Sequence, residues 1–415
     1  MIYYRLDDKI LFSHAKYSNL ETIEEDVAKE STDIIYFLKE SNPMQSRRSF
    51  SISDPSLMFI EEEGLNLIQE DTHEGKRDLP KWIIDKIKLR QVTCINTRYP
   101  QWKKALKQSL PEKWRINVFG LGDVGGTLVT GLRLLGGDCI SKIGVYDRSE
   151  DRKNRWILET NQILSACDNK SYPDVVGVTH EELFDCDMFV FCASVGVPPV
   201  GEQVKDVRMI QFEGNSKILS TYAKMARETG FQGVFAVVSD PVDLLCKSVF
   251  INSNTCEKGE LDYKGLAPEQ IRGYGLGVMH ARAAYYASLN EDAVHYLSEG
   301  RAYGPHGVGL IIADSIKHYN NDLSMYLTKK AKEANLEVRA AGFKPYIAPA
   351  LSSGSLSLLA TIRGEWHYST TYMGEVFMGA KNRLTYSGVE IERLDLPETL
   401  MTRLEETYTS LRNII

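Results

Sequence analysis

Three glycines and an acid carry the first chemistry that can be read from this sequence. Gly120, Gly122 and Gly125 form G-x-G-x-x-G directly after the apolar run around Ile116 and Val118, and Asp147 follows Gly120 by 27 positions. The first glycine permits a tight turn, the second lets backbone N–H groups approach a pyrophosphate, and the third lets the following helix lie against the strand. Val124, Leu128, Leu132 and Leu135 then recur at helical spacing, and Gly136-Gly137 ends that helix before a second strand, Ile143-Gly144-Val145-Tyr146. An acid closing this strand accepts hydrogen bonds from a ribose and repels a 2′-phosphate, which predicts NAD over NADP. Asp123 lies inside the turn, where a carboxylate opposes a pyrophosphate; a helix cap or a ribose contact is the role expected of it.

The charge balance narrows the partners. With 49 basic and 56 acidic residues, net −7, there is no electrostatic basis for nucleic acid or an anionic membrane surface. Residues 1–8 lack a basic stretch leading into an apolar core, so no secretory signal is expected, and no apolar run reaches the length of a membrane span. Seven scattered cysteines form no C-x-x-C pair. They predict reduced core thiols in a cytoplasmic protein, with neither disulfides nor a metal site.

The elements that must position this chemistry fall into three blocks. Residues 1–112 mix short apolar segments with acidic stretches and hold no site chemistry, which predicts a small α+β appended domain; Lys81–Ile87 reads as a helix after Pro80. Residues 113–250 alternate strands and helices, the signature of an α/β, doubly wound parallel sheet of Rossmann type. Its later strands are expected at 188–193 and 233–238, with a helix at 210–229 between them. Residues 251–415 predict an α+β substrate domain with helices at 281–297, 309–316, 324–336 and 397–412, and a strand near 376–378.

Four later motifs recur in a fixed order: Val238-Ser239-Asp240-Pro241-Val242-Asp243, the run Gly273–Arg282 (GYGLGVMHAR), Gly304-Pro305-His306-Gly307, and Gly374–Gly379 (GEVFMG). Together with the glycine turn they resemble the lactate/malate dehydrogenase superfamily over residues 115–415. That resemblance implies a hydride transfer to NAD in which His306, 24 residues after Arg282, exchanges the substrate proton. Imidazole suits the task because its ordinary pKa lies near neutrality. The resemblance further implies that Arg282 binds the substrate carboxylate through two parallel hydrogen bonds, with Arg208 as a second substrate arginine. It places Gly120, Gly122, Asp123, Val124, Gly125, Asp147, Arg148, Ala193, Ser194 and Val238 around the cofactor, and implies a homo-dimer or tetramer acting on a small-molecule substrate.

This sequence departs from the family at three places. The aspartate that orients the family's histidine is Met279, the asparagine of its S-N-P motif is Asp240, and the loop Ser194–Gly201 carries Pro198 and Pro199 where a basic selectivity residue is usual. Removing an orienting acid can cost orders of magnitude in rate. Two readings follow. Asp240 takes over as the acidic partner, of His306 or of a substrate amine or iminium, giving an oxidoreductase of a CH–OH or CH–NH group beside a carboxylate. Alternatively, the domain is a catalytically altered nucleotide-binding accessory protein that recognises a macromolecular or peptide partner through residues 1–112.

Overall fold

The computed structural model describes residues 1–70, 79–166, 171–195 and 207–414, with the side chains of Val207 and Arg208 excepted. Six strands, β1 (Ile2–Leu6), β2 (Lys9–Ser13), β3 (Glu21–Ile23), β4 (Ile35–Lys39), β5 (Ser49–Ser51) and β6 (Val92–Asn96), form a mixed sheet in the order β3-β1-β2-β4-β6-β5. The expected helix after Pro80 spans Lys81–Lys88 and buries Ile83 and Ile87 against this sheet's core.

The second sheet is organised by β7 (Trp114–Phe119). Four of its six residues, Trp114, Ile116, Val118 and Phe119, are apolar or aromatic, and all four residues from Ile116 onward are buried, as a strand covered on both faces requires. With β8 (Ile140–Tyr146), β9 (Asp174–Gly177), β10 (Met188–Phe191), β11 (Val234–Val237) and β12 (Ile271–Gly273) it makes a parallel sheet ordered β9-β8-β7-β10-β11-β12. The order reverses beside β7, and the crevice at that switch point is where open α/β sheets bind ligands. This is the doubly wound α/β fold expected from the sequence. The helices Asp123–Leu135, Val207–Glu228 and Val242–Asn254 connect its strands.

Downstream, β13 (Arg301–Tyr303) and β14 (Ile311–Ala313) pair as a small antiparallel ladder. The helix expected at 309–316 is therefore corrected: the β-branched Ile311-Ile312 pair finds a partner strand in Arg301–Tyr303, and pairing overrides the local pattern. Three further strands, β15 (His367–Tyr372), β16 (Phe377–Thr385) and β17 (Gly388–Ile391), extend the parallel sheet antiparallel from β12. Hydrogen bonding thus continues across residue 250 without a break. Long helices at Leu276–Ser288, Asn321–Ala340 and Glu398–Arg412 complete this half, and among the described residues no helix is long and apolar enough to cross a membrane.

Residues 1–112 do not hang from the rest by a bare linker. Phe12, Phe37, Phe50 and Ile83 share one core with Met378, Val389, Leu400 and Leu404 of the C-terminal strands and last helix. Arg48 is clamped across the junction: its Nε and backbone N–H donate to Glu269 at 3.0 and 3.2 Å, Ser49 Oγ adds a third bond at 2.9 Å, and both charged side chains are under 10% exposed. Breaking one half of a buried pair leaves the other charge uncompensated. Glu269→Ala is expected to lower unfolding free energy by about 3 kcal/mol in denaturant titration, whereas a surface pair such as Arg155–Glu159 should cost well under about 1 kcal/mol.

Candidate active site

The glycine turn is built as its spacing demands. Gly120 sits at φ +93°, and a Cβ there would lie 2.6 Å from the backbone N of Ala193 at the end of the neighbouring strand. A Cβ on Gly125 would lie 1.9 Å from Gly120 O, so only glycine lets the helix approach the strand this closely. A Cβ on Gly122 would meet nothing within 4 Å. Open space stands over the middle of the turn, where a pyrophosphate would have to lie.

That space belongs to a cleft of about 1060 Å³ lined by Gly120, Gly122, Asp123, Val124, Gly125, Asp147, Arg148, Ala193 and Ser194. Val238 is not among its lining residues. Its N–H donates to Phe191 O at 3.0 Å and its side chain packs against the sheet's core. Gly122 occupies the cap position, so Asp123 does not cap the helix; its carboxylate pairs with Lys344 Nζ at 3.0 Å. The opposite wall is supplied by Arg339, Phe343, Lys344 and Tyr346. Sequence reasoning missed them, because residues some two hundred positions from the turn leave no local signal.

The second centre lies on the loops after β11 and β13. His306 Nδ1 is 2.6 Å from Asp240 Oδ1. The backbone N–H of His306 donates to Asp243 Oδ2 at 3.2 Å, and Asp243 Oδ1 accepts from Thr370 Oγ at 2.7 Å, so a carboxylate only 2% exposed fixes the loop that carries the imidazole. A Cβ on Gly275 would come within 2.8 Å of His306 Cβ, which explains the glycine-rich run before the arginine helix. His306 Nε2 makes no hydrogen bond among the described residues.

Met279, where the resemblance places an orienting acid, is 3% exposed and packs with Leu276, Ala283 and Tyr286. On the same helix Arg282 points Nη1 at Met279 Sδ (3.7 Å) and Ala331 O (3.4 Å), and no carboxylate lies within ion-pair distance among the described residues. Burial lowers its pKa, with the charge of Asp240 acting in the opposite sense. A largely desolvated guanidinium with donors to spare suits a carboxylate ligand. Arg208 is the second residue of the helix Val207–Glu228, but its side chain, like the loop with Pro198 and Pro199, lies outside the described residues.

Burial alone would depress the His306 pKa. The charge and hydrogen bond of Asp240 outweigh it, with Asp243 adding and Arg282 opposing, and the net direction is upward from 6.5. His367 and His280 are packing residues. His367 bonds Thr361, Ser369 and the Glu365 carbonyl, and burial pushes it down to about 3. His280 bonds Tyr296 and is likewise pushed down to about 4.

The chain resembles known proteins. L-lactate dehydrogenase 2 of Staphylococcus aureus is 22% identical over 242 residues, covering 55% of this chain and 68% of that enzyme. Among solved structures, a lactate dehydrogenase from a Medee basin deep-sea metagenome superposes with a TM-score of 0.60 at 19% identity, over 73% of this chain and 98% of its own. The fold is that of the lactate and malate dehydrogenases. The malate dehydrogenase of Picrophilus torridus gives a TM-score of 0.57 at 16% identity, over 72% of this chain and 95% of its own. No protein-family model matches the chain.

Because His306 is raised in the folded chain, its protonated form contributes stability that is fully present below about 6.5 and lost as pH rises through the folded value. In Asp240→Asn, burial and Arg282 act against a smaller attraction. The imidazole resonances of His306, followed by NMR, are expected to titrate above 6.5 in the natural chain and to shift downward in Asp240→Asn; an unmoved midpoint would show that Asp240 does not set its charge.

Proposed function

We propose that this protein is an NAD-dependent oxidoreductase acting on a CH–OH or CH–NH group beside a carboxylate, with a small-molecule substrate and a self-associated state, dimer or tetramer. The observation that carries the reading is the 2.6 Å contact between His306 Nδ1 and Asp240 Oδ1. With Met279 buried in place of the usual acid, a carboxylate from the other side of the site supplies the missing partner.

The glycine turn and its open cleft fit a dinucleotide, and Gly120, Gly122, Gly125, Ala193 and Ser194 would hold it. When bound, NAD supplies the hydride acceptor. The work of the protein's own residues follows from their geometry. Asp240 on Nδ1 fixes the tautomer that leaves Nε2 as acceptor, so Nε2 can take the proton from a substrate hydroxyl or ammonium as its C–H bond is oxidised. The resulting imidazolium is stabilised by Asp240. In the reductive direction the same nitrogen returns the proton. Arg282 would orient the substrate carboxylate, and Asp240, whose side chain is about half exposed, also faces a substrate N–H.

A screen of 2-oxo acids with NADH, with and without ammonia or simple amines, tests the reading. His306→Ala is expected to cut turnover by about 10²- to 10⁴-fold while NADH still binds, and Arg282→Ala to raise KM for the acid by about a hundredfold, the loss of a bidentate charged contact. Turnover dependent on ammonia and lost in Asp240→Asn would select the CH–NH substrate. Tight NADH binding with no turnover on any compound would overturn the reading in favour of an accessory protein.

A further inference from the structure

Selectivity for NAD is expected from Asp147 as a free carboxylate at the end of β8, yet the fold puts that carboxylate to another use. Its Oδ2 accepts the N–H of Leu121 at 2.8 Å, its Oδ1 accepts the N–H of Ser149 at 3.0 Å, and Arg152 Nη1 lies 3.3 and 3.4 Å from the two oxygens. The residue is 7% exposed. A carboxylate that discriminates against a 2′-phosphate must present unspent oxygen and net negative charge to the ribose. Here it straps the glycine turn to the start of the next helix, and its charge is met by a guanidinium.

What the cleft presents instead is cationic. Arg148 and Arg152 both line it, Arg148 is exposed, and no carboxylate lies within ion-pair distance of Arg148 among the described residues. The acids Glu150 and Asp151 follow in the first turn of the helix Glu150–Asn161, but neither lines the cleft, and Glu150 is held by Lys153 at 2.8 Å. Counting Asp147 with both arginines, this corner carries a net positive charge. Guanidinium groups bind phosphate through paired N–H donors, and two of them around one dianion make a stronger site than the ribose hydroxyls of NAD can use.

We propose that the cleft accepts the 2′-phosphorylated dinucleotide as well as NAD, with the 2′-phosphate held between Arg148 and Arg152. The proposal rests on the dinucleotide reading given above. It is tested on the full chain by fluorescence titration with NADH and NADPH side by side. NADPH is expected to bind within about tenfold of NADH, and Arg148→Ala and Arg152→Ala are each expected to weaken NADPH at least about tenfold more than NADH, as the loss of a charge-assisted phosphate contact predicts. The NADPH affinity should also fall more steeply with salt. NADH binding with NADPH weaker by more than about tenfold overturns the proposal and leaves the dinucleotide site standing, as does an equal loss of both ligands in the arginine variants. If neither dinucleotide binds, the dinucleotide reading falls and this proposal with it.

Discussion

A buried carboxylate, Asp243, ties together the elements around the candidate site. It is 2% exposed, and it accepts one hydrogen bond from the backbone of His306 and another from Thr370 on β15. A charge taken this far out of water is tolerated only when its oxygens are occupied. The consequence is geometric: the loop after β11, the loop after β13 and the antiparallel extension of the sheet meet at one side chain. Asp240, three residues earlier and just before the helix Val242–Asn254 begins, lies beside the imidazole that Asp243 helps to fix.

Against that frame the exchange of acids becomes intelligible. A methionine at 279 would strand an unpartnered histidine if nothing else changed. Here the methionine joins an apolar cluster with Leu276 and Tyr286, and the acid comes from the loop after β11. The same attraction that orients His306 also offsets the cost of burying its charged form, since Asp240 outweighs desolvation. Arg282, partly desolvated on the neighbouring helix, has no carboxylate within ion-pair distance among the described residues, although the charge of Asp240 still acts on it.

Local spacing made the glycine turn legible from sequence: Gly125 answers the close approach of Gly120 O within the same strand–helix unit, and Gly120 answers the nearby backbone of Ala193. The pairing of Asp240 with His306 could be posed but not decided, since two loops 66 residues apart must first be brought together by β11, β12 and β13. The strand at Ile311–Ala313 was read as a helix for a related reason: its partner, not its own periodicity, decides its state. The far wall of the cleft, Arg339 to Tyr346, had no signal at all before tertiary contact.

The core shared by the first sheet and the last helix has a consequence for how the polypeptide is made. Phe12, Phe37 and Phe50 find Leu400 and Leu404 only after roughly 350 or more further residues have left the ribosome, so the earliest strands cannot complete their packing during most of translation. The intervening parallel sheet, itself rich in contacts between distant segments, must close in the meantime. The nascent chain therefore carries an unfinished apolar face until the helix Glu398–Arg412 emerges to cover it.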